Sequence, residues 1–148
     1  MSVKKLRGMD GELLLAYKNV VFAYARSFEA ELVEKTVLAQ ASELGTHEIV
    51  AGYKATLRLN EVTIENGNVI KEILSGLNAG LMPQLSFRGF FRRNDGFDEG
   101  LDLEGCCLIG KLDLLGLIGG FVWELNLSAN ILTEKQIKQF QRHGSNDA

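Results

Sequence analysis

The sequence lacks the features that mark membrane, secreted and polyanion-binding proteins. No run of residues approaches the roughly 18 apolar positions that a membrane-spanning helix requires. Residues 1–7 are basic but lack the apolar run of a secretory signal peptide, so we expect a cytoplasmic protein. The net charge of −3 argues against a protein whose main role is to neutralise phosphates.

Disulfide and zinc frameworks are missing as well. The two cysteines, Cys106 and Cys107, are neighbours, and a disulfide between adjacent residues is strained. The two histidines, His47 and His143, complete no zinc-ligand spacing. We expect one cysteine to be a small core residue and the other to be partly exposed.

Catalytic and cofactor motifs are equally scarce. His47 has no Ser or Cys nucleophile motif to serve, and the glycine-rich residues 116–120 lack the Lys-Ser/Thr of a phosphate loop. We therefore expect no enzyme and no cofactor. Five acidic residues between Asp95 and Glu104 do not match the spacing of an EF-hand and indicate a solvated turn. Another hypothesis is an enzyme that binds a metal ion at this acidic segment.

Strict alternation of apolar and polar residues is the strongest pattern that is present. Along residues 121–131 (FVWELNLSANI), Phe121, Trp123 and the later odd positions form an apolar face, whereas Glu124 and the other even positions form a polar one. A period of two predicts a long antiparallel strand with one packed and one solvated side. Its length, about twice that of a typical strand, predicts that it projects beyond its domain.

Similar alternation predicts a single domain, mainly β, with an antiparallel sandwich or barrel and one flanking α-helix. The apolar stripe of residues 69–77 predicts the helix, with Asn68 at its start. Residues 39–53 carry no clean period and predict a long loop. Residues 1–10 are expected to form an N-terminal arm and residues 132–148 a C-terminal tail, with a short helix through Gln141 and frayed residues from Arg142 onward. The predicted strands cover residues 11–17, 20–23, 24–38, 54–64, 85–93, 101–109 and 121–131. A tight turn at Lys18 and Asn19 joins the first two, and residues 114–120 form an irregular, glycine-containing connection before the last.

A cluster of aromatic and basic residues offers a different function. Phe90, Phe91, Arg92 and Arg93 mix stacking surfaces with cations, as strands that bind nucleic acid often do. A small β-barrel that binds single-stranded nucleic acid is therefore the alternative hypothesis. A strand whose Phe residues pack and whose Arg residues are solvated has the same pattern.

Four of the predicted strands carry a full row of polar residues, around Glu29, Arg58, Arg88 and Glu124. In a lone domain such rows are the solvated outer faces of a two-layer sandwich. Long strands with exposed edges also invite pairing with further copies, and closure into a ring removes those edges. The polar rows then become a pore lining.

The order of segments resembles the tail tube protein of contractile-tailed bacteriophages and phage-tail-like particles. The similarity covers residues 8–131, and its best pieces are residues 8–15 (GMDGELLL), 27–35 (SFEAELVEK) and 52–57 (GYKATL). The resemblance implies a subunit that assembles into stacked hexameric rings within a contractile sheath. Long hairpins, here residues 26–38 with 54–64 and 84–93 with 121–131, would form an inter-subunit β-barrel around the lumen.

The resemblance also implies partners and contact residues. The partners would be further copies of the chain, the sheath, the baseplate and tail-terminator proteins, and DNA in the lumen of a phage. The particle would be a virion tail, or a bacteriocin that pierces an envelope, assembled in the bacterial cytoplasm. The residues implied to face the lumen are Glu29, Glu31, Thr56, Arg58, Arg88, Arg92, Glu124, Asn126 and Ser128. Those implied to contact adjacent rings are Lys4, Lys5, Glu43, His47, Glu48 and Tyr53.

Overall fold

The protein is mainly antiparallel β-structure flanked by short helices, as the alternation predicts. The computed structural model describes the backbone of residues 4–40, 46–110 and 114–146, and their side chains except at 9–12, 36–40, 46–51, 114 and 146. None of the helices in these described ranges has the length and apolar character of a membrane span. The elements are β1 Lys4–Tyr17, β2 Val20–Gln40, β3 Thr46–Ile64, α1 Gly67–Asn78, β4 Leu85–Arg92, β5 Asp98–Leu108, α2 Leu114–Gly119, β6 Phe121–Ala129, α3 Glu134–His143 and β7 Ser145–Asn146.

Six strands close into a barrel because β1 pairs with two neighbours, β2 on one side and β4 on the other. Around the barrel the order is β1, β2, β3, β6, β5, β4, and each pairing is antiparallel. The short β7 adds to the start of β1. The two-fold alternation of each strand then sends one set of side chains inward, where they form the core.

The interior is filled by leucines and aromatic side chains. The rings of Phe28 and Phe87 meet edge to face at 5.0 Å between centroids. Gly89 lies against this pair, and a Cβ there would come within 2.7 Å of the side chains of Leu13 and Phe87. Glycine is therefore needed for close approach. Other fully buried residues include Leu6, Leu15, Leu57, Leu59, Leu85, Leu101, Leu103 and Leu127.

One end of the barrel, the turn end, holds the turn between β1 and β2 together with α1 and α2. Lys18 and Asn19 have positive φ values of 49° and 65°, which confirms the predicted tight turn. The cap of α1 is Asn66 and not Asn68, because the Asn66 side chain accepts hydrogen bonds from the backbone N–H groups of Asn68 and Val69. The helix buries Val69, Ile70 and Ile73 in the core.

The opposite end, the hairpin end, carries α3. Thr133 and Gln136 form a reciprocal capping box at its start, and Phe140 inserts into the core with no exposed surface. The predicted C-terminal helix is thus confirmed. Ser145 and Asn146 were expected to be frayed, but they pair with Lys5 and Lys4 of β1.

The predicted loop at residues 39–53 is wrong where the structure describes it. Strand β2 continues to Gln40 and β3 begins at Thr46, so the two strands form one long hairpin. Residues 41–45 lie outside the described residues. The predicted N-terminal arm is wrong for residues 4–10 in the same way, because β1 begins at Lys4 and pairs with β2. In both segments backbone pairing forms a strand that side-chain periodicity does not indicate.

Strand β6 changes its buried face partway along, so the prediction that Phe121 and Trp123 pack in the core is wrong. Leu125 is buried as predicted, but Val122 is the buried residue at the start of the strand and both aromatics are exposed. The change occurs beside Glu61 of β3, a non-glycine residue with a φ of 53°. The buried set of β3 changes at the same place, from Leu57 and Leu59 to Val62.

Three further predictions about the second half of the chain are corrected. Residues 114–119 are a short helix and not an irregular connection. Strand β6 ends at Ala129, and the strands that extend beyond the barrel are β2 and β3. The predicted hairpin of residues 84–93 with 121–131 does not form, because β5 lies between β4 and β6. Sequence periodicity identifies strands but does not specify which strands pair.

Candidate functional site

Seven of the nine residues predicted to face the lumen lie on the neighbouring strands β2, β3 and β6. Arg58 on β3 lies between Glu29 on β2 and Asn126 on β6, and Thr56 lies between Glu31 and Ser128. Ser128 is nevertheless buried; it lies between Thr56 of β3 and Cys107 of β5, and its hydroxyl contacts the Asn130 side chain. The other six form what we call the polar face: Glu29, Glu31, Thr56, Arg58, Glu124 and Asn126.

Glu29 is the electrostatic centre of the polar face. Its carboxylate lies 3.1 Å from Lys5 Nζ, 3.3 Å from Arg7 Nε and 3.3 Å from Arg58 Nη2. Partial burial by itself raises the pKa of Glu29, but hydrogen bonds from Lys5 and Arg7 and the charges of Lys5 and Arg58 outweigh it. The pKa of Glu29 therefore lies below its ordinary value.

Arg58 extends this network to a fourth strand. Its guanidinium lies between two carboxylates, because Nε is 3.5 Å from Glu124 and Nη2 contacts Glu29. Charged groups of β1, β2, β3 and β6 are thus joined across the outside of the barrel. Beside them lies a shallow depression of about 190 Å³, lined by Glu29, Glu31, Thr56, Leu57, Arg58, Ile109 and Asn126.

Arg88 and Arg92 do not belong to the polar face. Both lie on β4, which is three strands from β3 in either direction around the barrel and hence on the opposite wall. Arg88 Nε is 2.9 Å from Asp102, and Arg92 Nε is 3.1 Å from Asp98. The structure therefore separates two arginines that the polar rows had grouped with Arg58.

The hairpin of β2 and β3 continues past the strands on either side of it. Among the described residues, β1 accompanies β2 only as far as Leu32, and β6 accompanies β3 only as far as Ala55. Within the described part of the chain, residues 33–40 and 46–54 pair as strands only with each other, with one bulge after Lys35. We call these two segments the projecting hairpin. Its two outer edges have no strand beside them in the part of the chain that the structure describes.

The residues predicted to contact adjacent rings fall into three groups. Lys4 and Lys5 belong to β1, and Lys5 contacts Glu29 of the polar face. Tyr53 belongs to β3 and packs, half-buried, against the core. His47 and Glu48 lie opposite Ala39 and Leu38 in the projecting hairpin. Glu43 lies outside the described residues.

The cluster proposed for nucleic acid is largely engaged within the protein. Phe91 is fully buried, Arg92 pairs with Asp98, and Arg93 Nη2 is 2.7 Å from Asp95. Only Phe90 presents a substantial exposed ring. The acidic segment that follows supplies the carboxylates for these ion pairs. Within the described residues, no group of three or more His, Cys, Asp or Glu side chains is arranged to hold a metal ion.

The cysteines have the environments that the sequence predicts. Cys106 is buried and Cys107 is half-buried, and neither forms a disulfide. Burial, with a smaller contribution from the neighbouring Cys107, raises the pKa of the Cys106 thiol to about 12. A thiol in this state is not a nucleophile at neutral pH.

An aromatic surface at the turn end was missed by the sequence reasoning. The outward side chains of Tyr24, Phe121 and Trp123 lie on β2 and β6 and form what we call the aromatic patch. The Phe121 and Trp123 ring centroids are 6.4 Å apart. The alternation of residues 121–131 places both aromatics on the apolar face, and no residue in that segment signals that the buried face changes within the strand. Comparison of the chain with protein-family models, with curated proteins and with solved structures returned no match.

Proposed function

We propose that this chain is a structural, non-enzymatic subunit that assembles with copies of itself into stacked hexameric rings, as a tail tube subunit does. The observation that carries the proposal is the projecting hairpin. Within the described residues no strand pairs with its outer edges, and strand edges without a neighbour favour pairing with a strand of another chain. An isolated two-stranded hairpin is marginally stable in water, so a partner strand also stabilises it.

The polar face supports the same proposal, because it lies on the strands that extend into the projecting hairpin. If these strands join those of neighbouring copies in a ring, the polar face lines the lumen. Arg58 lies between the carboxylates of Glu29 and Glu124. This pairing weakens its attraction for the phosphates of a passing DNA.

The particle and its partners follow from the resemblance to tail tube proteins. The tube is proposed to lie inside a sheath and to join a baseplate and a tail-terminator protein. It conducts DNA in a phage, or pierces an envelope in a phage-tail-like bacteriocin. Assembly is proposed to occur in the cytoplasm of the bacterial host.

A shortened hairpin tests the proposal. Lys35 and Gly52 face each other in the register, so an Asn-Gly turn can replace residues 36–51 without altering the strands of the barrel. We expect a folded subunit with the parental β-sheet circular dichroism. Negative-stain electron microscopy at high concentration should show rings or tubes for the parental chain and none for the shortened chain.

Arg88→Gln is the matched control, because Arg88 lies on the opposite wall of the barrel and its ion pair is exposed. This variant should assemble as the parental chain does. Tubes of normal length from the shortened chain would contradict the proposal, and so would a parental chain that forms neither rings nor tubes at any concentration.

A further inference from the structure

A pocket of about 400 Å³ lies between α3 and the start of β5, and it shares no residue with the polar face or the projecting hairpin. We call it the α3 pocket. Glu99 of β5 forms one wall, and α3 supplies the rest of the lining: Glu134, Lys135, Lys138, Gln139, Arg142 and His143. The three cations are spaced three and four residues apart, so they form a row on one face of the helix.

The α3 pocket has an excess of positive charge. Each of its carboxylates already has a cationic partner: Lys138 for Glu134 at 3.0 Å, and Arg93 for Glu99 at 3.7 Å. Lys135 and Arg142 have no carboxylate partner within the part of the chain that the structure describes. Two cations of the row are therefore uncompensated, and the ligand that complements them is an anion.

Two buried polar atoms without a partner adjoin the same pocket. Among the described residues, His143 Nδ1 and Arg93 Nε are buried and form no hydrogen bond. His143 lines the pocket, and Arg93 pairs with Glu99 at its wall. A buried polar group that lacks a partner requires an explanation, and a bound ion is one such explanation.

The row of cations is held on a rigid surface. Gln139 is buried in the wall of the pocket, and its Nε2 donates to Glu99 at 2.7 Å and to the carbonyl of Gly100 at 2.9 Å. The capping box at Thr133 and the buried Phe140 also fix α3 against the barrel. Binding residues on a fixed helix lose less freedom when a ligand binds than residues on a loop.

The length and chemistry of the row indicate the class of anion. Lys135 and Arg142 are seven residues apart, which is about 10 Å along the axis of an α-helix. A chain of linked phosphate groups can follow such a row and contact all three cations, and the Arg guanidinium matches phosphate oxygens in pairs. The only ring in the lining is that of His143, which already packs against Phe91 at 6.0 Å between centroids. The pocket thus offers no free ring to a nucleobase.

We propose that the α3 pocket binds a chain of phosphate groups, either an inorganic oligophosphate or the phosphate tail of a nucleotide, through Lys135, Lys138 and Arg142. This site goes beyond the proposed structural function, and binding at it does not depend on assembly of the chain.

Isothermal titration calorimetry of the full chain with inorganic tripolyphosphate tests the proposal. At physiological ionic strength, which screens weak surface attraction, we expect saturable binding of one tripolyphosphate per chain. Lys135→Gln and Arg142→Gln should each weaken it about tenfold, because each removes a charge-assisted contact. Lys71→Gln is the matched control, since it removes the same charge from an exposed lysine of α1 at the turn end. It should leave binding unchanged. No binding, or equal weakening by all three variants, overturns the proposal.

Two further titrations identify the feature that is recognised. Tripolyphosphate should bind at least tenfold more tightly than orthophosphate, because only the chain spans the row, and ATP should bind no more tightly than tripolyphosphate. Equal affinity for orthophosphate and tripolyphosphate would overturn the recognition of a chain. Binding of ATP without binding of tripolyphosphate, or tighter binding of a single-stranded oligonucleotide than of tripolyphosphate, would overturn the proposal as well. Each variant should retain the parental circular dichroism, so a change in affinity reports on the pocket and not on folding.

Discussion

Glu29 contacts three cations from two neighbouring strands, and this position illustrates how single residues organise the outer surface. Lys5 and Arg7 approach from β1, and Arg58 approaches from β3. The Glu29 side chain is 20% exposed, whereas Asp102 in its pair with Arg88 is 60% exposed. Partly desolvated pairs contribute more than exposed ones, which often contribute little. The Glu29 cluster therefore stabilises the barrel wall as well as shaping the polar face.

Glu29→Gln should lower the unfolding free energy by about 1 kcal/mol at neutral pH, because it removes a charged acceptor from three donors. The folded-state pKa of Glu29 is below its ordinary value, so its contribution is present at neutral pH and is lost as the pH falls through the folded pKa. Chemical denaturation between about pH 7 and pH 3 should show a smaller loss of stability for the variant than for the parental protein.

Asp102→Asn is the matched control for Glu29→Gln, since it breaks an exposed ion pair on the opposite wall. It should change the unfolding free energy little at either pH. Equal pH dependence of the parental and Glu29→Gln proteins would show that the cluster contributes nothing to stability.

A line of backbone irregularities crosses the sheet at the scale of whole strands. Strand β1 has a register shift between Met9 and Leu13, and β3 has its left-handed residue at Glu61. On each strand the buried set changes between odd and even positions at this line. Bulges and bends of this kind let a sheet curve into a closed barrel. They also turn Phe121 and Trp123 outward, so barrel closure and the aromatic patch share one cause.

The helix at the hairpin end gives a test at the scale of elements. Thr133→Ala should cost about 1 kcal/mol of unfolding free energy, because the Thr133 side chain accepts the backbone N–H of Gln136 at the start of α3. Thr133→Ser keeps this acceptor and should restore most of the loss. Denaturant titration of the three proteins measures both effects, and equal losses for Ala and Ser would assign the effect to packing and not to capping.

At the scale of the molecule, the barrel strands and the projecting hairpin differ in the number of strands that pair with them. Strands of the barrel have a neighbour on each side, whereas the hairpin segments have only each other among the described residues. Regions with few buried contacts open at low free-energy cost. The subunit thus combines a stable barrel with a projecting hairpin, which is the part that pairing with a second copy would stabilise most.

Hydrogen exchange measures this difference. In the free subunit, amides of residues 33–40 and 46–54 should exchange faster than those of the barrel portions of β2 and β3, and assembly should protect them. Barrel amides serve as the internal control and should be protected in both states. Equal protection of hairpin and barrel in the free subunit would mean that the hairpin is already packed, which argues against the need for a second copy.

Much of the fold is predictable from local pattern. Alternation indicates the strands, and a turn at Lys18 and Asn19 and an apolar stripe after residue 68 locate the first hairpin and α1. The polar rows identify most of the polar face, because side chains at every second position share a side of a strand. The boundaries of the long hairpin are not predictable in this way, since residues 39–40 and 46–53 are strand segments held by backbone pairing and carry no period of their own.

The sequence by itself determined that this is a mainly β chain with buried leucines and phenylalanines, polar rows and one amphipathic helix near its middle. Only the tertiary structure decided which walls those rows occupy, which strand edges have no partner beside them and which aromatics face outward. Alternation is a property of one strand, whereas the separation of Arg88 from Arg58 depends on strand order around the barrel. Exposure of Trp123 likewise depends on a bend shared by adjacent strands, and distant parts of the chain create that bend only when they pair.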